Sequence, residues 1–135
     1  MLWHHCSGSL VRCPCSTGLP FDECCQRYHE GQPAPTALAL MRSRFSAFAV
    51  RNEDYLLRTW APATRPDSLD LSEFPIRFYR LDILDVVNGG LTDDTGIVEF
   101  EAFYKGAERG SQRERSRFER GSDNCWYYAD GVIAD

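Results

Sequence analysis

Four cysteines fall within thirteen residues, as Cys13-Pro14-Cys15 and Cys24-Cys25, and no other feature limits so strongly what this chain can fold into. A disulfide framework spreads its cysteines to join distant loops and belongs to exported proteins. The opening residues, Met1-Leu2-Trp3-His4-His5-Cys6, have no basic stretch followed by an apolar one, so no secretory leader is expected. Bonds within either pair would close short strained rings, and cross-pairing would close a loop of only about ten residues. A tetrahedral zinc ion explains the clustering better, since it needs four converging ligands at about 2.0–2.3 Å and thiolates serve well. Cys13, Cys15, Cys24 and Cys25 are therefore the expected ligands of a bound Zn2+, with two disulfides or free structural thiols as the alternatives.

The residues between the pairs suit a small knuckle. Pro14 stiffens the first pair, and Gly18 can take the positive φ of a tight reversal. Pro20 opens a helix expected over residues 21–29, with Gly31 suited to its C-terminal side. Cys24 and Cys25 are expected in its first turns, where unpaired amides favour thiolate over thiol. His29 lies four positions beyond Cys25 on the same helical face; it reads as a structural imidazole, with replacement of one thiolate as the other reading. His4, His5 and Cys6 read as a flexible start, and Cys125 beside Trp126 as a core thiol.

The run Cys13-Pro14-Cys15-Ser16-Thr17-Gly18-Leu19-Pro20-Phe21, then Cys24-Cys25 and Tyr28-His29, resembles the SEC-C zinc motif of the SecA translocation ATPase tail, with Ser16-Thr17-Gly18 in place of the usual Gly-Ser-Gly. Further motifs, Ala39-Leu40-Met41-Arg42-Ser43-Arg44-Phe45-Ser46-Ala47-Phe48, Asp54-Tyr55-Leu56-Leu57 with Thr59-Trp60, and Glu114-Arg115-Ser116-Arg117-Phe118 with Trp126-Tyr127-Tyr128, are similar to the YchJ family of bacterial proteins. The resemblance covers the chain from about Cys13. It implies a SEC-C knuckle over residues 1–31 that contacts protein partners, then over residues 32–135 a domain like nuclear transport factor two, a helix-packed curved sheet of the cystatin-like cone type.

Pattern and composition agree with an α+β fold. A chain of 135 residues holds one ordinary core. Fifteen Lys and Arg against 20 Asp and Glu give a net charge of -5, which argues against nucleic acid or a polybasic membrane contact as the main partner. No apolar run approaches the roughly 18 residues that span a bilayer. A cytoplasmic location is expected. Residues 31–35 read as a stiff hinge. Thr36 can cap a helix with Leu38, Met41, Phe45 and Phe48 along one face, and Asn52 a second carrying Tyr55, Leu56 and Trp60. Antiparallel strands follow: residues 76–87 ending at the turn signal Asn88-Gly89-Gly90, 96–105, 112–120, and 125–129 stopping at Asp130-Gly131.

Such a cone leaves a concave mouth where a small ligand can sit. Alternation puts Glu114, Ser116 and Phe118 inward, with Arg42, Arg44 and Glu101 as partners for Glu114. The group reads as a buried ion-pair network or as the lining of a ligand pocket. Asp82 and Asp85, three apart in a strand, are expected on opposite faces and not as a working pair. No catalytic residue is assigned. The leading expectation is a zinc-binding adaptor whose knuckle docks a protein, and the alternative is an enzyme or small-molecule binder using the cone.

Overall fold

Apolar residues alternate with charged ones from residue 95 onward, and that period of two builds the sheet on which everything else rests. A computed structural model describes residues 11–72 and 75–134; the readings placed on His4, His5 and Cys6 lie outside the described residues. After a 3-10 turn at Phe21–Glu23, three helices follow: α1 (Gln26–His29), α2 (Ala37–Val50) and α3 (Glu53–Arg58). The strands are β1 (Arg77–Asn88), β2 (Thr95–Lys105), β3 (Gly110–Arg120) and β4 (Trp126–Ala134). They pair antiparallel in the order β1-β2-β3-β4, an α+β meander with α2 across its inner face. Both expected caps form: Thr36 Oγ1 accepts from Ala39 N–H at 3.0 Å, and Asn52 Oδ1 from Tyr55 N–H at 3.1 Å. Among the described residues, no helix is long and apolar enough to cross a membrane.

The inner face carries Val98, Phe100 and Ala102 of β2 opposite Ser116 and Phe118 of β3, all buried. The outer face is a lattice of ion pairs. Glu99 accepts from both Arg113 and Arg115, Arg115 also reaches Asp85, and Arg117 pairs with Asp130. Hydrogen bonds from Arg113 and then Arg115 hold the Glu99 carboxyl below its ordinary value of 4.5. Its contribution to stability is therefore full above that value and lost as the pH falls below it. Glu99→Gln removes the effect, so the gap in urea midpoint between wild type and variant is expected to narrow on acidification below 4.5 and on raising the salt.

Three strand details differ from the sequence reading. Asp82 and Asp85 share the outer face, opposite Glu101 and Glu99, because a bulge between Ile83 and Asp85 resets the alternation. Strand β4 does not stop at Gly131; it runs on, with Gly131 opposite Ser116. A side chain at Gly131 would place its Cβ 2.1 Å from Glu114 Oε2, so the glycine makes room for that carboxylate within a continuing strand. Asn88-Gly89 does not close a two-residue hairpin, since β2 begins at Thr95. Instead Gly89 O accepts from Ala37 N–H at 2.9 Å, seating the start of α2 on the sheet.

That seat is tight. A Cβ on Gly96 would lie 2.6 Å from Gly89 Cα and 3.0 Å from Ala37 Cβ, and neither neighbour is a flexible side-chain end. Gly96→Ala is expected to cost about 1–3 kcal/mol through overpacking, read as a lower urea midpoint.

Candidate metal centre

Cys13 and Cys15 ride on a short antiparallel reversal in which Arg12 bridges Pro20. Cys13 N–H donates to Leu19 O at 2.9 Å and Phe21 N–H to Val11 O at 2.8 Å. Gly18 has φ +85° as anticipated, and Ser16 takes a second left-handed position at φ +73°. From there Ser16 Oγ accepts from Leu81 N–H at 3.0 Å, fastening the knuckle to the open edge of β1.

The helix expected over residues 21–29 is broken in two. The 3-10 turn ends at Cys24, whose backbone (φ -126°, ψ -109°) is not helical, and Cys25 is the N-cap of α1. In a continuous helix neighbouring side chains diverge by about 100°. The break instead lets the Cys24 and Cys25 sulfurs lie 3.9 Å apart.

All four sulfurs come together. Cys13, Cys15, Cys24 and Cys25 are buried, Cys15 and Cys25 at 0% and 1% exposure, and their Sγ atoms lie within 4.8 Å of one another. Cys15 and Cys24 are 3.6 Å apart. Metal–sulfur bonds of about 2.3 Å in a tetrahedron imply sulfur–sulfur edges of about 3.8 Å. The observed 3.6 and 3.9 Å bracket that value, and none of the four is in a disulfide. The donor set fits a single metal ion.

The thiols cannot all ionise at no cost in such a space. Hydrogen bonds from Cys13 and then Cys25 hold the Cys15 thiol well below its ordinary range. Burial pushes Cys24 up to about 11, and the hydrogen bond with Cys13 pushes Cys25 up further still. A cation at the centre removes the penalty of gathering negative charge out of water.

Helix α2 backs the cluster. Ser46 Oγ lies 3.3 Å from Cys13 Sγ, and Arg42 Nη1 donates to Cys15 O at 2.9 Å. His29 is not among the gathered ligands. Its Nε2–H donates to Ser43 O at 2.8 Å, and its ring lies edge-on to Phe21 at 5.7 Å and tilted against Tyr55 at 4.5 Å. Burial lowers its pKa, which favours the neutral ring. The segment 31–35, read as a stiff hinge, is tied to the sheet at its end, where Pro35 O accepts from Trp126 Nε1–H at 3.3 Å. One continuous buried cluster runs from the four cysteines through Leu40 and Phe45 to Phe118 and Trp126.

The other side chains singled out from the sequence divide. Arg44 and Glu114 line a cavity under α2, whereas Arg42 and Glu101 do not. Arg42 and Arg44 are two positions apart, about 200° round a helix, so only one can face the sheet. Glu101 is an odd position of β2 and lies on the outer face opposite Arg113. Cys125 is half-buried at the β3–β4 turn and not a core thiol.

The family model for the YchJ middle, NTF2-like domain matches residues 36–131. A UPF0225 protein of Corynebacterium glutamicum is 57% identical over 123 residues, 90% of this chain and 97% of that protein. The chain belongs to the YchJ family. A Streptomyces coelicolor UPF0225 relative is 50% identical over 124 residues, 91% of this chain and 96% of its own. Among solved structures, a SEC-C motif containing protein from Rhodopseudomonas palustris superposes with a TM-score of 0.78 at 31% identity, covering 93% of this chain and all of that one. A SEC-C motif containing protein from Psychrobacter arcticus gives a TM-score of 0.76 at 28% identity, over 96% and 86% of the two chains. In this YchJ-family chain the sequence reading missed Ser16, Ser43 and Ser46. Ser43 and Ser46 stand three apart in α2, and that spacing of small polar residues was the available sign of a second packed helix face.

Proposed function

We propose that this chain is a cytoplasmic zinc-binding protein in which a closed tetrathiolate site holds the N-terminal knuckle in shape for docking a protein partner. The observation that carries the reading is the convergence of four buried, unbridged cysteine sulfurs at tetrahedral spacing. Four thiolates favour zinc among the common divalent ions, and they leave no coordination position for an activated water, so the role is structural. Thiols kept free in this way suit a reducing compartment. Elemental analysis of protein purified without chelator should find about one zinc per chain. Iron with visible absorption, or no metal, contradicts the assignment.

The docking role is supported by the outward edge of the knuckle, where Val11 and Leu19, next to the Arg12–Pro20 bridge, are 56% and 47% exposed. Such apolar side chains, placed on a rigid metal-braced turn, are suited to a partner with an apolar groove. A Val11→Asp, Leu19→Asp double variant should keep its zinc and lose the protein that wild type recovers from a lysate. Equal recovery of the same protein by both contradicts the docking role.

A further inference from the structure

The cavity under α2 encloses about 210 Å3 between that helix and the inner faces of β2, β3 and β4, with Arg44, Phe45, Trp60, Phe100, Glu114 and Tyr128 in its wall. That is room for about seven liquid waters, or for one fragment-sized organic molecule. Arg44 is 4% exposed. Its Nη1 donates to Leu56 O at 2.8 Å and Thr59 Oγ1 at 2.7 Å, and its guanidinium lies over the rings of Trp60 at 5.2 Å and Tyr128 at 4.7 Å. Among the described residues its Nε and Nη2 have no acceptor, and no carboxylate approaches it within 4 Å. Trp60, in the same wall, has a fully enclosed indole N–H with no acceptor among the described residues. The unmet Arg44 donors in an apolar wall mark a place where an oxygen acceptor belongs.

Glu114 sets the charge of that ligand. Its Oε2 is held by Ser116 Oγ at 2.6 Å and Tyr128 O–H at 3.3 Å. Burial pushes the Tyr128 phenol up to about 12, so it remains a donor. The cavity thus contains one cation and one carboxylate that do not touch, and their charges cancel. A bound anion or cation would leave a net charge in an apolar space, which is costly. A neutral head group with a carbonyl oxygen for Arg44 and an N–H for Glu114 satisfies both at no net charge.

We propose that the cavity binds a small primary carboxamide with an aromatic or branched apolar body. The site lies on the face of α2 that bears Arg44, not the one that bears Ser46, so the inference stands independently of the metal.

The test uses benzamide, with benzoate and benzylamine as charged isosteres, on the full zinc-loaded chain, read by calorimetry and by the NMR signal of the Trp60 indole N–H. Benzamide is expected to shift that signal and to bind at least tenfold more tightly than either charged isostere. Glu114→Gln leaves the cavity with net positive charge, and there benzoate is expected to overtake benzamide. If no probe moves the Trp60 signal, or benzoate binds wild type as tightly as benzamide, the proposal fails. The wild-type series decides the matter by itself if Glu114→Gln does not fold.

Discussion

Replacing Cys25 with serine is expected to reduce bound zinc from about one equivalent to a trace and to loosen the knuckle from the cone. Serine keeps the volume but offers a hydroxyl that stays protonated near neutral pH, so only three thiolates remain. Changes that merely touch a ligand from outside cost ten- to a hundredfold in metal affinity, so loss of a ligand should cost more than about a hundredfold. Metal binding of this kind supplies folding free energy on the order of 10 kcal/mol. That energy is spent locally. Cys25 caps α1, and through Tyr28 and His29 it places the layer that covers α2. Trypsin should therefore cleave the variant quickly after Arg12 and Arg27, while far-UV circular dichroism keeps the signal of the four strands. A variant that retains one equivalent of zinc and the protease resistance of wild type contradicts this account.

The second large effect lies at the other end of the core. Phe118 has 0% exposure, pairs in register with Gly96, and meets Tyr128 edge-on at 5.8 Å. Phe118→Ala removes a whole ring from a site whose neighbours are fixed by strand pairing on both sides, so little collapse can fill the space. The expected cost is about 3–5 kcal/mol, or a fall in Tm of roughly 10–20 °C for a chain of this size. The folded fraction should still carry its zinc, because the sulfurs are held by their own turns and by α2. Zinc loss in parallel with Tm would show that knuckle and cone fold as one unit.

The contrast between these sites explains what was legible in the sequence. The cysteine cluster was readable because its four thiols lie within thirteen residues and the chemistry of four thiols admits few solutions. The sheet was readable because one face must be apolar, and alternation from residue 95 to 120 places Phe118 inward without ambiguity. What could not be read depends on the chain meeting itself. The break at Cys24 is imposed by the need to aim two adjacent sulfurs at one point, against the helical preference of the segment. The bulge that moves Asp85 onto the face of Asp82 leaves no mark in period-two reasoning. The partition of Arg42 to the knuckle and Arg44 to the cavity follows once α2 is known to be packed on two sides. The amphipathic pattern, with its single stripe of Met41, Phe45 and Phe48, shows only one.

X-ray absorption at the zinc edge tests the central claim most directly. Four sulfur scatterers at about 2.3 Å with no nitrogen or oxygen in the shell is the predicted result. A mixed shell containing nitrogen or oxygen, or protein that carries no zinc and two disulfides among Cys13, Cys15, Cys24 and Cys25, would contradict it.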